Sequence, residues 1–329
     1  MSAQGDVLSD VLRAVHLSGA IDFDYELSSP WVAEAPPSRE LAPLVMPGVD
    51  RLIEYHVIAR GACWANLVGR EPTRLREGDI IVFPQGNPHV LSSAPGMRGV
   101  PDLGPYERRE GPLPMVFDTG GGGPERARVI CGFLGCDERP FNPLLASLPE
   151  VIHLPAATHP SASWLRSLVE SAVAEARGAR AGAGNVLARL SELMFVEAVR
   201  HHLETLPMEQ RGWLAGLRDP ITGQVLSLLH GAPADAWTLE GLARKVGVSR
   251  SALAERFAEV VGQPPMQYLA CWRMQLAARR LAAGGHVAQV AADVGYESEA
   301  AFSRAFKKIV GVPPGAWRRG RQATPAVRP

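Results

Sequence analysis

The sequence is poor in several features, and each shortage excludes a class of protein. Four cysteines among 329 residues are too few for the disulfide framework of a secreted scaffold, so we expect a reducing, cytoplasmic environment. No apolar run reaches 18 residues, which predicts neither a transmembrane helix nor a membrane partner. The start, MSAQGDVLSDVL, lacks a basic segment followed by an apolar core, so we expect no secretory signal. With 46% hydrophobic and 21% charged residues, disorder is excluded as the main state.

Lysine is also scarce, and its distribution shows that a balanced net charge hides two different halves. All three lysines lie after residue 220. Residues 221–329 hold 14 Lys and Arg against 7 Asp and Glu, a net charge of +7, whereas residues 1–220 hold 20 against 27, a net charge of −7. A basic module joined to an acidic one predicts that only the C-terminal part contacts nucleic acid.

The first half of the chain has the texture of a β-rich domain. Between about residues 45 and 91, short apolar runs such as RLIEYHVI and DIIVFP are separated by Gly, Pro and charged residues, which is typical of strands. A further strand is predicted near Ala127–Gly135. Residues 94–126 hold 8 Gly and 6 Pro, so we predict a long flexible loop or an insertion there.

Two helices are predicted after Pro160, in SWLRSLVESAVAEAR and NVLARLSELMFVEAVRHHLETL. The second is apolar around much of its circumference and therefore needs partners. Two interpretations remain open at this point. The helix either packs against its own domain or forms the interface of a homodimer.

An internal repeat near the C-terminus is the most informative feature of the sequence. The matching positions of the two copies are Leu239, Leu242 and Val246 with Val287, Val290 and Val294, and Ser249, Leu253 and Phe257 with Ser298, Phe302 and Phe306. The offset changes from 48 to 49 residues at the turn, as a one-residue insertion requires. Each copy predicts a helix, a glycine-containing turn and a second helix that begins at a serine cap, the helix-turn-helix pattern that places its second helix in the major groove.

One helix is predicted between the two copies, in PPMQYLACWRMQLAARRLAAG. About 20 residues at 1.5 Å each span roughly 30 Å. That length suits two recognition helices held about one DNA turn apart, near 34 Å.

The string VAADVGYESEAAFSRAFKKIVGVPP resembles the most diagnostic segment of the AraC/XylS family of bacterial transcription regulators, with Val290 in place of the usual Ile. The resemblance covers about the last 110 residues. It implies a double helix-turn-helix domain that contacts two successive major-groove segments of double-stranded DNA.

Specific residues of the two recognition helices are predicted to face DNA. They are Ser251, Ala254 and Glu255 on the first helix, and Ala300, Ser303 and Arg304 on the second. Arg304 is the predicted base reader, because a guanidinium can bind guanine O6 and N7 together, although a phosphate contact or a surface ion pair is the alternative. The residues predicted to contact phosphates, which give affinity without sequence information, are Arg250, Arg273, Lys307 and Lys308.

The string GDIIVFPQGNPHV matches the second cupin motif, G-x5-P-x-G-x2-H, at every fixed position, ending at His89. It resembles the small β-barrel sensor found ahead of AraC-type readers. Metal-binding cupins also need a His-x-His in a first motif, which is missing here, since His56 stands alone near that place. The resemblance leaves His56, His89 and Cys131 as metal-site candidates, and this donor set suits zinc. The alternative is that His89 is a hydrogen-bonded barrel residue and Cys131 a small buried hydrophobe.

The cysteines of the first half also allow a redox function. The candidates are Cys63, Cys131 and Cys136. A sensing thiol has to be exposed and to have a lowered pKa, and neither property can be read from a sequence.

We therefore predict a multidomain β plus α protein. Its parts are a cupin-like β-barrel sensor (1–159), a helical linker with a possible dimerisation role (160–217) and an AraC-type DNA-binding domain (218–329). The predicted function is sequence-specific transcription regulation, with a small molecule, metal or oxidant as effector and no certain cofactor. The alternatives are an architectural DNA binder whose barrel only dimerises, and a cupin metalloenzyme fused to a DNA-binding domain. The missing His-x-His argues against the enzyme, which needs a complete metal site with an open position.

Overall fold

The computed structural model describes residues 6–15, 17–107, 113–158, 162–178, 180–207 and 209–322. The chain forms two compact units. Of the described residues, one comprises those within 17–136 and 148–205, and the other comprises those within 6–15, 137–147 and 206–322. We call them the β unit and the helical unit.

Within the described residues, the β unit contains ten strands and four helices. The strands are β1 (Leu17–Ser28), β2 (Val32–Ala35), β3 (Arg51–Arg60), β4 (Ala62–Leu67), β5 (Thr73–Arg76), β6 (Ile80–Phe83), β7 (His89–Ser92), β8 (Met115–Gly120), β9 (Arg126–Cys136) and β10 (Ile152–Leu154). The helices are α2 (Ser38–Val45), α3 (Gly104–Glu107), α5 (Ala162–Gly178) and α6 (Ala183–Thr205).

The strands form two sheets with a shared apolar core. The six-stranded sheet has the order β10-β6-β3-β9-β1-β8, and the four-stranded sheet has the order β2-β7-β4-β5. The pairing is antiparallel except that β8 runs parallel to β1. In β4 buried residues alternate with half-buried ones, so one face turns to the core, whereas nearly all of β3 is buried. Both faces of β3 are therefore covered.

Helix α6 packs directly on the six-stranded sheet at Gly19 of β1. A Cβ atom at Gly19 would lie 2.6 Å from the Ala188 carbonyl oxygen and 2.6 Å from the Ser191 Cβ atom. Only a glycine permits this approach. The interpretation that α6 packs on its own domain therefore holds for one face of the helix.

The helical unit contains the remaining ten helices of the described residues. They are α1 (Val7–Ala14), α4 (Pro143–Ser147), α7 (Trp213–Arg218), α8 (Pro220–Gly231), α9 (Leu239–Lys245), α10 (Arg250–Val261), α11 (Pro265–Ala282), α12 (Val287–Asp293), α13 (Glu299–Val310) and α14 (Pro314–Gln322). The helix predicted between the two repeats is α11. The pairs α9–α10 and α12–α13 are the two helix-turn-helix units.

Local sequence explains the bounds of both recognition helices. The Ser249 hydroxyl caps α10 by accepting the Ala252 N–H at 3.1 Å, and Ser298 caps α13 by accepting the Ala301 N–H at 3.2 Å. Gly262 and Gly311 end the two helices in the left-handed conformation, which glycine adopts without a steric penalty. The serine caps expected from the sequence are present.

The predicted loop at residues 94–126 was wrong in its described part, because it contains α3 and β8. Met115 and Phe117 of β8 pack on the aromatic cluster around Phe23. Since β8 is only six residues long and lies among glycines and prolines, its apolar alternation was hidden. Residues 108–112 of this segment lie outside the described residues.

The observed units also divide the chain differently from the predicted domain boundaries. Helix α1 and residues 137–147 join the helical unit, whereas α5 and α6 join the β unit. The buried side-chain amide of Gln275 in α11 explains why α1 and residues 137–147 belong to the helical unit. It accepts the Phe141 N–H at 3.1 Å and donates to the Ala14 carbonyl at 3.2 Å. The boundary predicted at 159/160 falls outside the described residues. Of the helices described, none combines the length and apolarity needed to cross a membrane.

Candidate DNA-binding surface and candidate effector site

Recognition helix α10 separates a core face from a solvent face. Leu253 and Phe257 are fully buried beneath it. Of the residues predicted to contact DNA, Arg250, Ser251 and Glu255 are exposed and Ala254 is half-buried. The Ser251 hydroxyl lies 3.1 Å from the hydroxyl of the capping residue Ser249, so in the free protein it forms a hydrogen bond at the start of its own helix.

Helix α13 has the same division, with Phe302 and Phe306 fully buried. Its predicted contact residues Ala300, Arg304, Lys307 and Lys308 are exposed, and Ser303 is half-buried. Among the described residues, the three basic side chains of this face have no ion-pair partner. They are therefore available to an external anion, as phosphate or base contacts require.

Arg273 is placed differently from the prediction that it contacts a phosphate. It lies half-buried on α11, and its guanidinium donates to the carbonyl oxygens of Pro233 at 2.7 Å, Asp235 at 2.7 Å and Gly295 at 3.4 Å. Burial lowers its pKa from the ordinary value. With its donors directed at three backbone carbonyls, this guanidinium braces the fold instead of facing DNA.

Three side chains singled out from the sequence come together inside the β unit. His56 on β3 and Cys131 on β9 are directly paired across adjacent strands, and His89 comes from β7 of the other sheet. The His56 Nδ1 atom lies 3.0 Å from Cys131 Sγ, and the His56 Nε2 atom lies 2.7 Å from His89 Nε2. His56 and His89 are buried, whereas Cys131 is partly exposed.

The polarity of this hydrogen-bond chain follows from its far end. His89 Nδ1 lies 3.1 Å from the Asn87 carbonyl oxygen, which can only accept, so Nδ1 carries the proton. In neutral His89 the Nε2 atom is then the acceptor, and His56 must donate to it from its own Nε2. The remaining lone pair of His56, on Nδ1, accepts the S–H of Cys131. A thiol thus stands next to an unprotonated imidazole nitrogen.

The electrostatics of the cluster keep its members neutral. Burial lowers the pKa of His89 to about 4 and that of His56 well below its ordinary value, with the neighbouring His89 adding to the effect on His56. Burial also raises the pKa of the Cys131 thiol well above its ordinary value, with a contribution from Glu54. The cluster is a set of uncharged groups near pH 7.

Glu54 is a member of this site that the sequence reasoning missed. It lies two residues before His56 on β3 and is 1% exposed. Its Oε1 atom accepts the Ser38 hydroxyl at 2.7 Å, and its Oε2 atom lies 4.0 Å from His89 Nε2. Burial raises its pKa to about 8, against the opposing effect of the Ser38 hydrogen bond. A Glu spaced i, i+2 from a His on a strand was the available signal, because both then face the same side.

The arrangement does not fit the metal that cupins commonly hold. Among the described residues, no group of three or more His, Cys, Asp or Glu side chains is arranged to hold a metal ion. The donors bond in series, with His56 directing one ring nitrogen to Cys131 and the other to His89. One imidazole cannot offer both nitrogens to one ion, so the zinc prediction lacks the convergent geometry it requires.

The cysteine candidates differ in access. Cys63 and Cys136 are buried, and burial raises the pKa of Cys63 to about 12. Cys131 is the most accessible of the three and has a base beside it. Of the redox candidates, Cys131 therefore has the best geometry, although its pKa is raised and not lowered as the sequence-based criterion asked.

Comparison with known proteins agrees with both parts of the molecule. The cupin family matches residues 6–204, and a helix-turn-helix domain family matches residues 242–320. A Streptomyces lividans protein named as an AraC-like transcription regulator is 36% identical over 274 residues, covering 82% of this chain and 87% of its own length. The HTH-type transcriptional regulator AlkR of Acinetobacter baylyi is 27% identical over 316 residues, covering 95% of this chain and 99% of its own.

Among solved structures, the DNA-binding domain of the global transcriptional factor AdpA, in complex with a target DNA, is 28% identical. That match covers 32% of this chain and 95% of the other, with a TM-score of 0.31. The cupin unit and the two helix-turn-helix units define a DNA-binding regulator. The chain belongs to the AraC-like transcription regulators, which confirms the family predicted from its motifs.

Proposed function

We propose that this regulator reads DNA through α10 and α13 and that an oxidant controls it by acting on Cys131. The observation that carries the proposal is the contact of 3.0 Å between Cys131 Sγ and the acceptor nitrogen of His56. A thiol paired with an imidazole base is the arrangement that activates cysteine nucleophiles. Its partial exposure gives a small oxidant access.

The proposed step is a two-electron oxidation by a peroxide. The Cys131 sulfur attacks one oxygen of hydrogen peroxide, the O–O bond breaks, and a sulfenic acid and water form. His56 Nδ1 takes the thiol proton as the sulfur attacks and passes it to the departing hydroxide. Sulfur is oxidised and peroxide is reduced, so atoms and electrons balance. The raised thiol pKa makes this local base necessary, because little thiolate exists without it.

Oxidation would change the packing on the face of β9 that carries Cys131. The Cys131 side chain packs against the apolar cluster between the sheets and also against the aromatic cluster around Phe23. An added oxygen replaces the S–H donor to His56 and enlarges a side chain in close-packed surroundings. We propose that the resulting strain in β3 and β9 is the signal.

A small-molecule effector is the second candidate. The observation that favours it is the group of rings next to Cys131, in which Tyr25 stacks on Phe117 with ring centroids 5.1 Å apart and Phe23 meets Tyr106 edge-on at 5.2 Å. Such an aromatic lining suits an apolar ligand. This candidate predicts a response to an apolar compound that persists without the thiol.

The test is a DNA-binding titration with and without oxidant. DNA selected from a randomised pool serves as the probe, and affinity is measured by fluorescence anisotropy with reduced and peroxide-treated full-length protein. We expect the DNA affinity of wild type to change on treatment with peroxide and that of Cys131→Ser to stay the same. Cys271→Ser is the matched control, since Cys271 is a partly exposed thiol of the helical unit.

Three results would contradict the proposal. A response that survives in Cys131→Ser would move the effector site elsewhere. An affinity indifferent to peroxide and to any added compound would favour the architectural role, in which the β unit does not sense. Zinc bound stoichiometrically and lost in Cys131→Ser would revive the metal interpretation in place of oxidation.

A further inference from the structure

Helix α11 is divided into two halves that serve different helix-turn-helix units. Tyr268 and Trp272 in its first half pack with Phe257 of the first recognition helix and with His230 of α8. The second half contributes Met274, Ala277, Ala278 and Leu281 to the core of the second unit, together with Phe302 and Phe306. Arg273 lies between the two halves.

The guanidinium of Arg273 binds backbone just before the first helix-turn-helix unit and backbone within the second unit at once. Its Nε and Nη2 atoms donate to Pro233 and Asp235, in the segment that connects α8 to the first unit. Its Nη1 atom donates to Gly295, in the turn of the second unit. The adjacent Tyr296 ring lies 5.8 Å from the guanidinium carbon, a cation–π distance.

The two backbone segments also touch each other directly. Gly295 has a φ of 81°, and a Cβ atom there would lie 2.3 Å from the Ala234 carbonyl oxygen. The segment around Ala234 is itself closed by two hydrogen bonds to the Ala232 carbonyl, from the Asp235 N–H at 3.2 Å and from the Trp237 indole N–H at 2.8 Å. A rigid connecting segment is thus held against the turn of the second unit.

We infer that Arg273 is a positioning residue that fixes the separation and angle of α10 and α13, and thereby the number of base pairs between the two DNA segments they read. The three carbonyls it binds lie 22 to 40 residues away along the chain, so the contact joins parts that α11 alone would leave hinged. The planar fork of an arginine suits three acceptors at different angles, whereas one ammonium group does not.

The inference assumes that both recognition helices contact DNA, so the experiment tests each half-site separately. Full-length protein is titrated against its selected DNA, against probes with the central spacer changed by −1, +1 and +2 base pairs, and against probes that keep only one half-site. For wild type we expect each spacer change to weaken binding by about tenfold, comparable to a mismatched base pair.

Arg273→Met and Arg273→Lys should lower the affinity for the parental spacing and flatten the dependence on spacer length to within about threefold, less than one mismatched base pair costs. Their affinity for single half-sites should remain that of wild type. Arg280→Met is the matched control. Arg280 lies on the same helix but, among the described residues, pairs with Asp293 of the second unit alone, at 2.6 Å, so its loss should preserve the spacing preference.

Gly295→Ala disturbs the contact between the same two backbone segments without changing Arg273. It therefore provides a test if the Arg273 variants fail to fold. Its new methyl group should displace the segment around Ala234 and flatten the spacing dependence in the same way. A spacing preference unchanged in folded variants would overturn the inference. A loss of affinity that is as large on single half-sites as on the full site, together with a smaller salt dependence, would also overturn the inference, since this marks a phosphate contact. If wild type binds one half-site as well as two, the inference fails while DNA binding itself stands.

Discussion

The Nε2 atoms of His56 and His89 lie 2.7 Å apart and join the two sheets of the β unit through two buried side chains. His89 cannot gain a proton without breaking this contact, because its Nε2 atom is the acceptor, whereas His56 would gain a proton on Nδ1 and keep the contact. The pKa of each is lowered by burial. Glu54 beside them has the opposite shift, with its pKa raised to about 8, so the three groups respond to pH with different signs.

We expect Glu54→Gln to remove a loss of stability between pH 6.5 and 8. Folded Glu54 holds its proton up to about pH 8, whereas unfolded Glu releases it near 4.5, so the free energy of unfolding falls as pH rises through this window. One proton accounts for at most about 1.4 kcal/mol per pH unit. Tyr106 and Cys131 nearby add nothing here, because their pKa values are raised well above their ordinary values.

The measurement is the urea midpoint of unfolding of both proteins across pH 5 to 8. Below pH 6.5 both should lose stability as pH falls, because unfolded histidines take up protons that folded His89 refuses down to about pH 4. Wild type should lose it less steeply than Glu54→Gln, because the unfolded Glu54 still releases its proton down to about pH 4.5. Gln keeps the acceptor for the Ser38 hydroxyl, so the fold is not otherwise disturbed. Equal alkaline slopes in wild type and Glu54→Gln would contradict the buried, protonated carboxyl.

Arg304→Ala should weaken specific DNA binding by about 1–3 kcal/mol and relax selectivity at one base position, if the guanidinium reads a base. The exposed position of Arg304 on α13 supports this role. Lys307→Ala, one turn further along, is the contrast. It should weaken binding alike on all sequences and reduce the slope of log affinity against log salt by about 0.9. Uniform weakening by Arg304→Ala on random DNA would make it a phosphate contact instead.

The two recognition helices were predictable from the sequence, whereas the role of Arg273 was not. Interactions within a few residues determine where the serine caps, the glycine turns and the buried Phe257 and Phe306 lie. The spacing of these residues in the sequence therefore predicts them. An arginine on an amphipathic helix looks like a surface charge. Its role depends on carbonyls as far away as Pro233, which no local pattern displays.

The effector cluster was predictable only in part. The cupin motif singled out His89, and the lone His56 and Cys131 were recognised as its companions. Their order in series depends on strand register and on the Asn87 carbonyl that fixes the His89 tautomer. Glu54 stayed hidden because a carboxylate in an apolar strand carries no sign of its protonation state.

A homodimer interface on α6 remains a prediction, and the exposed side of the helix supports it. Val186 and Leu193 are 44% and 46% exposed and lie seven residues apart, hence on one face, and Trp164 of α5 is 43% exposed. Leu193→Glu should therefore shift the sedimenting species from twice the monomer mass to the monomer. Val100→Glu, at a residue 88% exposed outside these helices, is the control. A wild type that sediments as a monomer at all concentrations would contradict the interface.

Tyr55 should transmit the state of Cys131 to α6. It lies between Glu54 and His56 on β3, and its hydroxyl contacts the Ala20 carbonyl at 3.1 Å and the Ser191 hydroxyl of α6 at 2.5 Å. Any displacement of His56 along the strand therefore moves this contact. Ser191 also donates to the Leu187 carbonyl at 2.8 Å, so Tyr55→Phe leaves no buried hydroxyl without a partner.

We expect Tyr55→Phe to bind DNA as wild type does when reduced but to lose most of its response to peroxide. The missing hydrogen bond is worth about 1 kcal/mol, which corresponds to roughly fivefold in the response measured by anisotropy. Tyr25→Phe, which removes a hydroxyl from the aromatic cluster next to Cys131, is the control and should keep the response. A full response in Tyr55→Phe would show that the signal leaves the β unit by a route other than α6. If Cys131 is still oxidised in this variant, the effector proposal itself stands.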